Sequence, residues 1–216
     1  MAGTKNTAVM HLNPADLAGS GWHRECYIHP QDSNRCIKVV VSGSDGENRR
    51  EQRYYRHLMR RGISWEMLPK FYGTVETNLG EGAIFDLIRD HDGMISRPLE
   101  HYLQSERLTE RYAEGLIGGL RALREYLFLE RIITMTLKPK NILFQRRTRD
   151  THKLILVDNI GNSDLIPLAN YSAFFSKQKI SRKWRRLEDL IRAEFTHNPA
   201  VIGLLDGQMS ATCERR

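Results

Sequence analysis

The sequence lacks any apolar run long enough to cross a bilayer, which takes about 20 residues. Its apolar runs, such as Ile132–Ile133 and Leu154–Val157, are short. Cysteine is scarce. Cys26, Cys36 and Cys213 form no CxxC pair and are odd in number, which argues against a disulfide scaffold and for a reduced, cytoplasmic chain. The histidines are scattered with no HxxxH or HExxH spacing, so no zinc-ligand cluster is legible. The opening residues, MAGTKNTAVMHLNPADLAGSG, carry no apolar core behind a basic start, and no secretory signal is expected there. Internal repeats and low-complexity stretches are also missing.

What is present suits a folded protein. Of 216 residues, 40% are hydrophobic and 27% charged, which excludes a disordered chain. That length allows one domain or two small lobes, burying on the order of 70% of the unfolded surface. The net charge is +7, from 33 Lys+Arg against 26 Asp+Glu. Residues 177–186 (KQKISRKWRR) hold six basic side chains and no acidic one, so this stretch nearly accounts for the excess. Such a stretch reads first as the solvated face of an amphipathic helix. Its alternatives are docking of an acidic protein partner or, less favoured, of nucleic acid. Trp184 falls in the apolar periodicity and is expected to be packed.

The order of elements is β-rich, then helix-rich. Cys26–Ile28 and Arg35–Val41 predict two strands joined as a hairpin. Glu51, Tyr55 and Leu58 recur on one face of a helix from Glu47 to about Arg61, which Gly62 stops. Lys70–Glu76 and Gly82–Ile88 predict two further strands about a turn at Asn78-Leu79-Gly80. The polar connection 89–93 is the candidate boundary. It divides a β-rich part, 1–88, from a helical part, 89–216. In the second part, helices are expected over Leu99–Glu106 and Thr109–Glu130, the latter capped by Thr109 and lined by Leu116, Leu120, Leu123 and Leu127. Strands follow at Ile142–Phe144 and Leu154–Val157, then a helix over about Ser181–Arg192. This is an α+β arrangement in two lobes.

Several chemistry-bearing residues fall along this order. Gly19-Ser20-Gly21 precedes a strand, where glycine lets backbone N–H groups approach phosphate oxygens closely. Lys38 lies within an apolar strand and offers an ammonium to phosphate. Glu51 is on the apolar stripe of the next helix, so its carboxylate needs a partner. Lys38 is the candidate, and Glu47 is the rival carboxylate one turn earlier. Further on, Thr136-Leu137-Lys138-Pro139-Lys140-Asn141-Ile142-Leu143 is followed, after a strand–turn–strand, by Val157-Asp158-Asn159-Ile160-Gly161. The oxygens of an Asn and an Asp are hard ligands suited to Mg2+ on nucleotide phosphates.

LKPxNIL resembles the catalytic-loop signature of protein kinases, and Asp158 stands where the Asp of a DFG motif would follow the next strand. More narrowly, GSGWHRECYIHPQDSNRCIKVV, RREQRYYRHL, PKFYGTVET, IITMTLKPKNIL and VDNIGNSDLIPLA resemble the bacterial YrbL family, whose name refers to the PhoP regulatory network. They cover about residues 17–175. The resemblance implies a bilobal protein-kinase-like fold with a β-rich N-lobe and a reduced helical C-lobe. It implies ATP and Mg2+ as ligands, with Gly19 and Gly21 in the phosphate loop and Lys38 and Glu51 as an ion pair. It also implies Lys138 at the terminal phosphate, and Asn141 and Asp158 on the metal.

Three departures qualify the activity. Arg24 replaces the third glycine of the phosphate loop, where it either crowds the nucleotide or adds a phosphate contact. Asp158-Asn159-Ile160-Gly161 lacks the DFG phenylalanine. Thr134-Met135-Thr136 replaces H-R-D, so Thr136 takes the place of the catalytic Asp. A threonine hydroxyl is no general base near neutral pH and only orients a substrate. Asp164 and Asp150 are candidate substitutes, and no APE motif follows Asp158. The expectation is therefore an atypical kinase with a degenerate catalytic loop. The alternative is a pseudokinase, a regulatory binding module without phosphoryl transfer.

Overall fold

The computed structural model describes residues 9–43, 46–162 and 172–213. The chain is mixed α and β, and it divides into two compact units. The first comprises Met1–Arg53 and Pro69–Leu87; the second comprises Tyr54–Leu68 and Ile88–Arg216.

The first unit is built on one antiparallel sheet. Its strands are β1 (Leu17–Ser20), β2 (Arg24–His29), β3 (Asp32–Val40), β4 (Phe71–Thr77) and β5 (Gly80–Asp86), in the order β1-β2-β3-β5-β4. Register fixes what each face carries. Tyr27 pairs with Ile37 and Cys26 with Lys38, while Ile37 pairs with Ile84 and Lys38 with Ala83. Because side chains alternate, Tyr27, Ile37 and Val39 share one face. There they form a core with Leu12, against which Met10, Val75 and Ile84 pack. Lys38, Cys26, Cys36 and Phe85 belong to the other face. Gly82 is required by the first face, since a Cβ there would run into Ile37 Cγ2. Helix α1 (Gly46–Arg61) follows β3, and the division between the units falls inside it. Glu51, Tyr55 and Leu58 are all buried, as their spacing predicts. Gly62, at φ +64°, donates its N–H to Met59 O and ends the helix.

The second unit holds β6 (Arg97–Pro98), α2 (Leu99–Leu103), α3 (Glu106–Arg111) and α4 (Ala113–Leu129). A 3-10 turn (Pro139–Asn141) follows, then β7 (Ile142–Arg146), β8 (His152–Leu156), α5 (Ala173–Glu194) and α6 (Pro199–Cys213). Its small sheet has the order β6-β7-β8. Leu116, Leu120, Leu123 and Leu127 are fully buried along α4. Gly115 and Gly119 sit one turn apart on that helix, and a Cβ on either would meet His152 or Leu154 of β8 within 3 Å. The bare backbone of α4 thus lies directly on β8.

Three expectations are corrected. Thr109 does not cap a helix: Ser105 Oγ accepts from Leu108 N and caps α3, while Thr109 is buried inside it and donates to Tyr102 O. The basic helix is longer than Ser181–Arg192, running Ala173–Glu194. Helix α6, absent from the sequence-based expectation, is anchored by Asn198. That amide is 1% exposed and donates to Leu103 O at 2.8 Å and Thr109 Oγ1 at 2.9 Å, while its oxygen accepts from Ala200 N. No helix among the described residues is long and apolar enough to cross a membrane.

Candidate functional site

In the first unit, Gly21 N donates to Arg24 O at 2.8 Å, closing a tight turn whose tip, Trp22, is 86% exposed. The turn is tied to the chain beyond β3. His23 O accepts from Val41 N, and Ser42 Oγ donates to Trp22 O at 2.9 Å. Gly19 is not in the turn but in β1, opposite Cys26. A Cβ on Gly19 would meet nothing within 4 Å, and one on Gly21 only Arg24 O at 3.5 Å. Neither glycine has a positive φ, so the fold itself does not require glycine at either place.

Lys38 is half-buried, with its ammonium 4.8 Å from the centre of the Phe85 ring. Glu51 is 1% exposed, and its Oε2 accepts from Arg24 Nη1 at 2.5 Å. Arg24 therefore serves the carboxylate, a role that its place at the missing glycine does not suggest. The register explains it: Arg24 pairs with Val40 and Cys26 with Lys38, so Arg24 and Lys38 leave the same face of the sheet. The side chain of Glu47 lies outside the described residues.

In the second unit, two loops are stitched together. Met135 N donates to Asn159 O at 2.8 Å, and Gly161 N donates to Ile133 O at 2.9 Å, about a bridge between Thr134 and Ile160. Asn159 takes φ +58°, a left-handed conformation that Asn tolerates better than most residues. Ile133 N donates to the hydroxyl of Tyr54, which burial holds up at about 12. The 3-10 turn starts at Pro139, and Val157 N donates to Asn141 O at 2.9 Å. That bond seats Asp158, the next residue, beside Asn141 along the backbone. Asn141 is 6% exposed, and its Nδ2 has no hydrogen-bond partner among the described residues. Thr136 and Lys138 are exposed, and Asp158 is half-buried.

No group of three or more His, Cys, Asp or Glu suited to a metal occurs among the described residues. Asn141 and Asp158 together offer hard oxygens, few in number. That set fits Mg2+, which takes one or two protein ligands and fills its sphere with water and phosphate. It does not fit zinc, which wants a closed set of nitrogen and sulfur donors. Asp164 lies outside the described residues. Asp150 is exposed at the turn of the β7–β8 hairpin, whose opposite end carries Asn141 and Val157. Five strand residues separate the two ends, about 15 Å at the usual rise. Asp150 therefore lies away from Asn141 and from Asp158 beside it.

The basic helix α5 is not simply a solvated face. Lys179 is 5% exposed, and its Nζ donates to Asn162 Oδ1 at 2.5 Å. Lys183 Nζ donates to Met135 O. Trp184 is packed, as its periodicity predicts, with its indole N–H on Glu188. Lys177, Arg182, Arg185 and Arg186 remain exposed.

The profile of a family described as PhoP regulatory network protein YrbL matches residues 10–191. An uncharacterized protein YrbL of Escherichia coli (strain K12) is 42% identical over 181 residues, covering 82% of this chain and 86% of the relative. An uncharacterized protein YrbL of Shigella flexneri matches with the same identity and coverage. The matched span takes in both stitched loops, the turn at Gly21 and the two inward lysines of α5. The chain belongs to the YrbL family of PhoP regulatory network proteins.

Proposed function

We propose that this protein is a kinase-like binder of ATP and Mg2+ with a degenerate catalytic loop, acting in the regulatory network that its family's name records. The observation that carries the reading is Asn141. Its amide is buried without a partner for Nδ2 among the described residues, beside the segment that presents Asp158. A buried N–H donor left unsatisfied costs about 1–3 kcal/mol, which an acceptor such as a phosphate oxygen would offset, leaving Oδ1 for Mg2+. Each unit contributes its own chemistry. In the first, Gly19 and Gly21 leave the backbone open to phosphate oxygens, Lys38 supplies an ammonium, and Arg24 keeps the Glu51 carboxylate satisfied. In the second, Asn141 and Asp158 hold Mg2+, and exposed Lys138 reaches the terminal phosphate. Bound Mg2+ would neutralise phosphate charge and fix phosphate geometry.

Thr136 favours a second reading, a pseudokinase. The residue at the position of the catalytic base cannot take a proton near neutral pH, and Asp150 lies at the far end of the hairpin from Asn141. One experiment separates these readings. ATP with Mg2+ at 100 times its Kd should stabilise the protein by about 2.7 kcal/mol. Asp158→Ala and Lys38→Met should each abolish that gain. Absence of any nucleotide effect on the wild type overturns the proposal. Transfer of labelled phosphate to an acceptor above the Asp158→Ala background identifies a kinase, and binding without transfer identifies a pseudokinase.

A further inference from the structure

Helix α5 turns two of its basic side chains inward, one turn apart, and each reaches a different loop. Lys179 holds Asn162, at the end of the segment that begins with Asp158. Lys183 holds the carbonyl of Met135, one residue before Thr136. Those two segments are themselves joined by two backbone hydrogen bonds, which form the Thr134–Ile160 bridge. They lie outside regular helix or strand, and one includes a left-handed residue, Asn159. Two such bonds between irregular segments do not hold a register well by themselves, since each contributes only about 0.5–1.5 kcal/mol. Bonds from a charged donor are stronger.

The helix is a firm base for them. Ser176, Ile180, Trp184, Leu187 and Ile191 are buried along the face that also carries Lys179 and Lys183. An ammonium buried as deeply as Lys179 is expensive to desolvate. Ordinary packing of an amphipathic helix would put an apolar side chain there, so burial of a lysine calls for a specific task.

We propose that Lys179 and Lys183 are positioning residues, which clamp the Asp158 segment against the Thr136 segment and so set where the Asp158 carboxylate stands. The clamp rests on the loop geometry. Its effect on Mg2+ rests on the nucleotide-binding reading above.

The test is hydrogen exchange at the Met135 and Gly161 amides, whose bonds join the segments. The Leu156 amide, bonded to Met67 O, serves as a reference. Lys179→Met and Lys183→Met should each speed exchange at Met135 and Gly161 about tenfold, equivalent to ~1.4 kcal/mol, relative to Leu156. Equal acceleration at all three amides would mean global loosening and would overturn the clamp, as would no change. Asn162→Ala, which removes the acceptor and leaves the lysine in place, covers the case in which a lysine variant fails to fold. It should behave like Lys179→Met. Arg185→Met, on the exposed face, should leave all three amides unchanged.

A Mg2+ titration in ATP, followed by thermal shift, then reads the consequence. The clamp variants should need about tenfold more Mg2+ for half the effect, while the Mg2+-free response to ATP stays the same. A wild type that ignores ATP and Mg2+ overturns the nucleotide reading. The exchange result still decides the clamp.

Discussion

His152 is stacked on Phe144, with ring centres 4.8 Å apart, and edge-on to Tyr112. Its Nε2 is buried with no hydrogen-bond partner among the described residues. Burial lowers its pKa below the ordinary 6.5, partly opposed by the Asp150 charge. The folded state therefore prefers the neutral ring, and the unfolded chain takes up a proton first as pH falls. Stability should be level above about pH 6.5 and decline below it, down to the folded-state pKa. In His152→Phe, which keeps the stack, the slope of melting temperature between about pH 5 and 6.5 should flatten. An unchanged slope would assign it to other groups. Asn198 gives a second residue-level expectation. Asn198→Ala strands the Leu103 carbonyl and unties α6, so urea unfolding should show a loss of about 1–3 kcal/mol. Partners of this kind are hard to read from sequence. Glu51 shows by its helical face that it needs a cation, but Arg24 and Lys38 are both available, and only strand register reveals that they share a side. Lys179 sits in a ten-residue stretch with six basic side chains, and composition does not distinguish the inward ones from the solvated ones.

Elements were legible where one periodicity dominated. The leucines of α4, the Glu51-Tyr55-Leu58 stripe of α1 and the β-branched run of β3 each form the element their spacing predicts. Short or mixed elements were not. β1 and β6 contain only four and two residues, too few to show alternation. The first turn of α5 carries exposed Phe174 and Phe175, which disguise it as something other than an amphipathic helix. Ser105 and Thr109 are both good capping residues, and packing rather than propensity assigned the cap to Ser105. The glycines of α4 look like helix weaknesses but serve close contact with β8. Gly119→Val should therefore destabilise by about 1–3 kcal/mol through overpacking, despite valine's better helix propensity than glycine. Gly118→Val, where a Cβ would meet nothing within 4 Å, is the matched control, and thermal melts of the pair decide between packing and propensity.

At the scale of the whole molecule, neither compact unit is one continuous stretch of chain. A cut at residue 88 would leave Tyr54–Leu68 behind, yet those residues belong to the second unit. They are built into it by specific bonds. Tyr54 holds Ile133 N, Met67 O accepts from Leu156 N, Ser64 O accepts from the Tyr126 hydroxyl, and Arg61 Nη2 donates to Glu130 O. A fragment covering 88–216 should accordingly be poorly folded, whereas 54–216 should give dispersed amide NMR resonances and a cooperative melt. Equal behaviour of the two fragments would show that residues 54–68 are dispensable. The fold's mixed α+β character and its β-first, helix-later order were visible in the pattern of residues. The threading of one segment into the other unit was not, because it depends on contacts more than 60 residues apart.

The β7–β8 hairpin offers a practical opening. Its turn, residues 147–151, is exposed, while its base is fastened to Asn141 by the Val157 bond. A hairpin with an exposed turn, packed against β6 and α4 along its length, is a natural mount for a fluorophore or affinity tag. A single cysteine introduced at Arg149 would carry such a reporter roughly 15 Å from Asn141 and Val157. The binding proposed at Asp158 could then be followed in the intact protein without altering any residue assigned a role in it.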